Sequence, residues 1–395
     1  MLNLKHNQKN VFRLTCAQAL SMTTMNVNMI NTALVGSILA PVAWLSTLPL
    51  SLMFVMSMLS TLPVSLLMSR YGRRPVFIAG VCVAVLSALS QGMAIVLHHY
   101  VFFCIASMGL GFSLACAGFY RYAAADSAAP EDKPRAISWV LTGGLVAAFL
   151  GPEIARNTVD IVPDALYAGC FFTASVVQLF SLLFIFGVKI PKPENQSFAG
   201  RPISLFLRMP MFLIGMFCAA LGYALMSYLM TATPLQVVNV SQLGTSANAS
   251  IIQWHVVAMF APSFFTGNLI ARYGASRILG LGVFAYIMVI VLALIGDDFW
   301  HYFGALFLLG IGWNFLYIGG SSLVALVANP EERGRVQGVA DLTMTILVAS
   351  ASLVAGVVHS QLGWEMMVMA ATLPVFCLMC IVGWLFSYGY YNTKA

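Results

Sequence analysis

A run of apolar residues long enough to cross a bilayer recurs roughly twelve times along this chain, and mostly short loops separate one run from the next. The runs fall near 12–37, 42–68, 75–97, 99–125, 134–158, 164–187, 209–238, 246–271, 276–296, 299–328, 333–361 and 363–388. Only 8% of the residues are charged and 60% are hydrophobic, against roughly a quarter charged in a soluble domain. So little charge cannot cover a water-facing surface, so the solvent of this chain is lipid. Inside lipid each run must satisfy its own backbone hydrogen bonds, which makes helices the default. The expected fold class is an all-α membrane protein.

Basic residues order these runs. Arg70, Arg73 and Arg74 follow run two; Lys133 and Arg135 follow run four. Lys189, Lys192, Arg201 and Arg208 follow run six, Arg272 and Arg277 run eight, Arg333 and Arg335 run ten. All lie on the side of the N-terminus, and the opposite loops carry Asp160, Asp164, Asp297 and Asp298, with Arg156 the main exception. The positive-inside rule therefore predicts an even number of spans with both termini cytoplasmic. The net charge of +6 forms no patch, which excludes nucleic acid as a partner. The polar start, Met1 to Asn10, leads into an uncleaved first span. The 8 cysteines are mostly mid-span and form no disulfide framework; Cys377 and Cys380 read as packing.

The longest loop follows run six, is polar and holds Pro191, Pro193 and Pro202. It divides the chain into an N-terminal half (1–188), a cytoplasmic linker (189–208) and a C-terminal half (209–395). The halves echo each other: Arg70-Tyr71-Gly72 follows run two and Arg272-Tyr273-Gly274 follows run eight. An internal repeat of this kind points to a two-domain transporter. Arg70, Gly72, Arg73 and Arg74 also resemble the loop motif G-x-x-x-D-R-x-G-R-R of the major facilitator superfamily, with Ser65 and Ser69 at its glycine and aspartate. The second copy keeps Gly267, Arg272 and Gly274. The resemblance implies twelve helices in two six-helix halves, located in a bacterial inner membrane. In that family the motif's aspartate helps latch one transport state, and Ser69 stands in its place here; the arginines anchor the cytoplasmic side or take part in gating.

Charge inside a membrane is costly, so each instance is a functional candidate. Arg121 near the end of run four is a snorkelling residue or a functional one. Glu153 and Arg156 form a mutual pair or couple protons. Asp341, inside run eleven, carries a proton or pairs with a neighbouring helix. Gly143-Gly144 and Gly151-Pro152 in run five read as packing or hinge features, and Pro130-Glu131-Asp132 as a turn.

Two further stretches suggest a cargo. Met226 and Met230 lie four apart in run seven, His255 and Met259 four apart in run eight, so each pair shares a helix face. At 1.5 Å per residue the first pair lies about 12–18 Å and the second about 14–20 Å below the outer surface. Three thioethers and an imidazole make a soft ligand set of the kind that selects copper(I). Against this, 22 methionines in 395 residues give roughly one such Met pair by chance, and methionine is an ordinary core filler. The motifs are similar to those of the CcoA-type copper importers, which supply copper for cbb3-type cytochrome oxidase assembly. That resemblance implies copper import by alternating access through Met226, Met230, His255 and Met259, with Cys218 as an additional thiol. The next thiol of that family is Gly222 here. It further implies copper as cargo and not as a cofactor, cytoplasmic thiols as acceptors, and a monomer. Gly310-x-Gly312-Trp313-Asn314-Phe315 resembles both these importers and their flavin-importing relatives.

The alternative is therefore a carrier of an organic solute such as riboflavin or a drug-like compound. Tyr223, Tyr228, Gln253, Trp254, Trp313 and Asn314 would stack on and hydrogen-bond a planar ligand. A membrane scaffold or sensor would call for an appended soluble domain, which the sequence does not show. No nucleophile–base set or cofactor loop points to an enzyme.

Overall fold

The computed structural model describes residues 2–128, 133–190, 201–329 and 332–387. The turn at Pro130-Glu131-Asp132 and the linker prolines Pro191 and Pro193 lie outside the described residues. Among the described residues there is no strand, and nine helical segments are long and apolar enough to cross a membrane, or ten counting one bent pair.

The chain clusters into two compact units. One comprises Met1–Asn195 with Asn248–Gln253, the other Gln196–Ala247 with Trp254–Ala395. The first unit contains α1 (Leu2–Leu39), α2 (Leu48–Tyr71), α3 (Arg73–Val96), α4 (Tyr100–Gly118), α5 (Tyr120–Asp126), α6 (Lys133–Thr158) and α7 (Ala168–Ile185). α1 packs along α6 and α7, and α4 fills the space between α2 and α3. Phe77 on α3 meets Tyr120 on α5 edge to face at 4.7 Å. Leu62, Leu66, Leu86 and Leu183 are exposed, as an outer surface solvated by lipid requires. α1 is long, yet it is absent from the apolar spans. Its buried side carries Thr23, Thr24, Asn26, Asn28, Asn31 and Thr32, which lower its hydropathy without shortening it.

The second unit contains α8 (Ile203–Phe206), α9 (Pro210–Pro234), most of α10 (Gly244–Phe260), α11 (Ser263–Tyr273), α12 (Ala275–Ile295), α13 (Phe299–Leu326), α14 (Arg333–Ala370) and α15 (Thr372–Ser387). α9 ends in one wider π-type turn over Leu235–Val240. α9 packs on α13 and α14, and α12 on α13 and α15. Gly215 and Gly320 carry the α9–α13 crossing. A Cβ on Gly215 would stand 2.6 Å from the Gly320 carbonyl oxygen, and a Cβ on Gly320 would strike the Gly215 carbonyl in turn. The backbones approach this closely because neither residue has a side chain.

Three runs differ from the sequence-based expectation. Run eight bends by 42° between α10 and α11, where Pro262 has no N–H for the preceding turn. Run four breaks at Phe119 into α4 and α5. Runs eleven and twelve meet at Gly363, whose φ of 78° is not helical, and run twelve breaks once more at Ala371 between α14 and α15.

Candidate functional site

The repeated R-Y-G motif builds the same local structure in each unit. Gly72 joins α2 to α3 with φ 88° and ψ 164°; Gly274 joins α11 to α12 with φ 85° and ψ 151°. These are left-handed-side conformations that glycine alone adopts without strain. Arg70 lies 5.3 Å over the Tyr71 ring and Arg272 5.3 Å over the Tyr273 ring. Arg73 forms an ion pair with Asp126 on α5, so with Ser69 at the motif's usual aspartate position this arginine finds its carboxylate elsewhere in its own unit. Arg74 is exposed. Arg121 hydrogen-bonds to the Tyr122 hydroxyl at 3.0 Å and lies 4.7 Å over that ring. Glu153 pairs with Arg156 one turn along α6. Arg156 also donates to Ser250 Oγ at 3.0 Å and Gln253 Oε1 at 2.6 Å. Asn248 donates to the Ile30 carbonyl at 3.3 Å. These bonds hold Asn248–Gln253 in the first unit. Asp341 is half-buried in α14.

The residues of the soft ligand set are all buried. Met226, Met230 and Cys218 lie in α9 at 3%, 4% and 0% exposure, and His255 and Met259 in α10 at 0% and 7%. His255 Nδ1 lies 2.7 Å from the Leu306 carbonyl on α13. A carbonyl oxygen only accepts, so Nδ1 carries the proton and Nε2 the lone pair. That Nε2 is buried and has no hydrogen-bond partner among the described residues. No cluster of three or more His, Cys, Asp or Glu suited to a metal occurs among the described residues. Gly222 has a packing reason for lacking the thiol found in copper importers. A Cβ there would stand 2.9 Å from Leu316 Cβ, and its carbonyl accepts from Tyr286 Oη at 2.7 Å.

Aromatic residues form the second feature of this unit. Trp313 and Tyr317 stack in parallel at 5.0 Å, and Tyr223 and Phe260 meet Trp313 edge-on at 5.3 and 6.0 Å. Trp313 Nε1 is buried with no partner among the described residues. A donor in that position inside an aromatic wall suits a planar heterocycle with an acceptor at its edge. Tyr317 and Phe260 escaped the sequence reading; the first follows Trp313 by one helical turn and was visible in principle. Two other expected contributors act differently. Trp254 is 42% exposed and leans on Phe303, 6.4 Å away. Asn314 is fully buried and committed to structure. Its Nδ2 donates to the Met259 carbonyl at 2.7 Å and to Ser263 Oγ at 2.6 Å, and its Oδ1 accepts from Thr266 Oγ1 at 2.7 Å. Asn314 therefore fixes the bend between α10 and α11.

The first unit holds a polar network that the sequence reading did not single out. Gln91 Nε2 donates to Asn28 Oδ1 and Ser107 Oγ, both at 2.9 Å. Asn28 Nδ2 donates to the Thr24 carbonyl at 3.0 Å, and Thr24 Oγ1 donates to Gln178 Oε1 at 3.2 Å. The signal was present as lone amides at Gln91 and Gln178 in apolar helices and an Asn/Thr-rich first run.

The profile of the major facilitator superfamily matches residues 14–262 and 241–393, which together span nearly the whole chain. The chain belongs to the major facilitator superfamily. It is 40% identical over 362 residues to the riboflavin transporter RfnT of Brucella anthropi, covering 91% of each chain. The uncharacterized MFS-type transporter YddS of Bacillus subtilis is 24% identical over 338 residues, covering 80% of this chain and 77% of that one. Among solved structures, a variant of the nucleoside transporter NupG superposes with a TM-score of 0.71 at 14% identity, covering 94% of this chain and 99% of that one. A bacterial homolog of the human lysosomal transporter Spinster, inward-facing and occupied, gives 0.72 at 12% identity, covering 97% of each chain. These likenesses establish the fold. The chain is a multi-pass inner-membrane transporter of this superfamily, whose members are generally not enzymes. The likeness to CcoA-type copper importers is not supported. The relative at 40% identity carries a riboflavin transporter's name, Met226 and Met230 sit at a spacing expected by chance, and Gly222 is held to glycine by packing.

Proposed function

We propose that this protein imports a planar, uncharged organic solute of the flavin type, riboflavin first among them, by alternating access. The observation that carries the reading is the 40% identity to a riboflavin transporter across 91% of both chains. The Trp313–Tyr317 stack, with Tyr223 and Phe260 at its edges and an indole N–H that has no partner among the described residues, supports it, because an isoalloxazine ring is both a large π-surface and a set of acceptors. The proposal includes twelve spans, two six-helix halves and cytoplasmic termini, on the strength of the basic-loop pattern and the R-Y-G repeat. Copper import rests on the spacing of Met226, Met230, His255 and Met259 and on His255 Nε2, which has no partner among the described residues, and copper uptake measured beside riboflavin uptake sets it against the flavin. The test is growth of a riboflavin-auxotrophic bacterium. Cells expressing this protein are expected to grow at low external riboflavin where vector-bearing cells do not. Equal failure of both, with the protein present in the membrane, would refute the flavin assignment.

A further inference from the structure

The first unit has an open groove of about 500 Å³ where the N-terminal part of α1 passes the end of α7. Gln8, Lys9, Phe12, Arg13 and Phe184 line it. α7 is a span of 18 residues, about 27 Å long at 1.5 Å per residue, so its ends lie at the level of the lipid headgroups.

Two kinds of surface meet in this groove. One is apolar. Val176, Leu179, Phe180 and Leu183 are exposed and recur three and four residues apart, which places them on one lipid-facing side of α7. Phe184 lies one turn beyond Phe180, and Phe12, 65% exposed, lines the α1 side of the groove.

The other surface is cationic. Lys9 and Arg13 lie one turn apart on α1, and Lys9 is exposed. Arg13 donates through Nη1 to the Gly187 carbonyl. Its guanidinium lies so close to Gly187 that a Cβ there would stand 2.5 Å from Arg13 Cζ. Arg13 is thereby fixed at the end of α7, and it has no other hydrogen-bond partner among the described residues. Its remaining N–H donors can take an anion. Asn10 holds the backbone of Lys189, donating from Nδ2 to its carbonyl at 2.7 Å and accepting its N–H at Oδ1 at 3.3 Å. A third exposed cation is thus anchored two residues past Gly187. Neither α1 nor α7 contains an Asp or Glu, and among the described residues no carboxylate pairs with Lys9, Arg13 or Lys189.

This combination selects its ligand. A soluble anion would answer the cations and leave the apolar side unused; a neutral lipid would do the reverse. An anionic phospholipid answers both, because its phosphate suits a guanidinium and an ammonium while its acyl chain lies on apolar side chains. We infer that this groove binds the headgroup of an anionic phospholipid, with Lys9 and Arg13 on its phosphate and an acyl chain on the exposed side of α7. The bound lipid braces α1 against α7, which already pack together. The site is independent of the solute carried.

The test titrates purified full-length protein in neutral detergent micelles with phosphatidylglycerol, phosphatidylcholine or glycerol 3-phosphate, and native mass spectrometry counts the bound molecules. At about fivefold for each of two cations, wild type is expected to bind its first phosphatidylglycerol about twenty-five-fold more tightly than phosphatidylcholine. Lys9→Gln should lose about fivefold of that preference, the double variant Lys9→Gln with Arg13→Gln nearly all of it, and Arg13→Lys little. Arg74→Gln, which removes an exposed cation outside the groove, should leave it unchanged. Glycerol 3-phosphate, which has the charge without the acyl chains, should not displace phosphatidylglycerol at equal concentration. Lys9 is exposed, so Lys9→Gln carries the test even where loss of Arg13 from the end of α7 prevents folding. Equal binding of the two lipids by wild type, an unchanged preference in Lys9→Gln, or an equal loss in Arg74→Gln would overturn the site. Displacement by glycerol 3-phosphate would overturn the lipid assignment in favour of a free phosphate.

Discussion

Replacing Asn314 separates a structural role from a ligand contact. Pro262 interrupts the backbone ladder at the α10–α11 bend, and the Asn314 side chain supplies bonds there that the helix cannot. Its Nδ2 serves the Met259 carbonyl and Ser263 Oγ, and its Oδ1 receives Thr266 Oγ1. Asn314→Leu keeps the approximate volume and removes all three bonds. Thr266 keeps its bond to the Pro262 carbonyl at 2.8 Å, so the buried Met259 carbonyl and the half-buried Ser263 hydroxyl lose their Asn314 donor. At about 1–3 kcal/mol for the unsatisfied buried carbonyl and about 1 kcal/mol for the half-buried hydroxyl, the loss is about 2–4 kcal/mol. Thr266→Val removes one of the three bonds and should cost about 1 kcal/mol. The assay is thermal unfolding of the purified protein in detergent, followed by flavin titration of whatever remains folded. The expected order of stability is wild type, then Thr266→Val, then Asn314→Leu, with flavin affinity retained below the melting temperature. An Asn314→Leu protein as stable as wild type that no longer binds flavin would refute the reasoning, because Asn314 would then be a solute contact.

Other outcomes follow from the same structure. Gly222→Cys, which restores the thiol seen in copper importers, should lower the melting temperature through its clash with Leu316 and confer no copper uptake. Met226→Leu and His255→Leu should leave cellular copper content unchanged, measured by elemental analysis against vector controls. Just before α14 in the second unit, Glu332 receives Arg201 Nη2 at 2.7 Å and the Arg201 backbone N–H at 2.9 Å, with only 3% of its side chain exposed. The Arg201 side chain, its backbone N–H and that of Asn329 hold the Glu332 carboxyl down to about 2. A carboxyl depressed in the folded state contributes stability that is present in full above its ordinary range and disappears as pH falls through that range toward 2. The melting temperature should therefore fall between pH 5 and pH 3 in wild type and fall less in Glu332→Gln. Equal slopes in the two proteins would show that this pair does not contribute.

The fold was legible in the sequence because its strongest signals are collective. Runs of apolar residues and the one-sided placement of arginines survive errors of several residues at any boundary. The R-Y-G repeat was informative for a local reason, since both glycines hold a backbone conformation closed to other residues. The cargo was less legible. Met226, Met230, His255 and Met259 were read from spacing, and spacing reports which helix face a residue occupies but not what it touches. His255 turned its Nδ1 to the Leu306 carbonyl, Asn314 to the α10–α11 bend, and Trp254 outward toward Phe303. Each depends on a partner 48 or more positions away, which no local pattern encodes. The neutral network of Asn28, Gln91 and Gln178 shows in the sequence only as isolated amides in apolar helices, because the bonds that join them span 63 and 154 positions.

Uptake of radiolabelled riboflavin into proteoliposomes containing the purified protein, with radioactive copper measured alongside, tests the central claim most directly. Time-dependent riboflavin accumulation above protein-free vesicles, with copper at background, is the predicted result. Copper accumulation without riboflavin accumulation would contradict it.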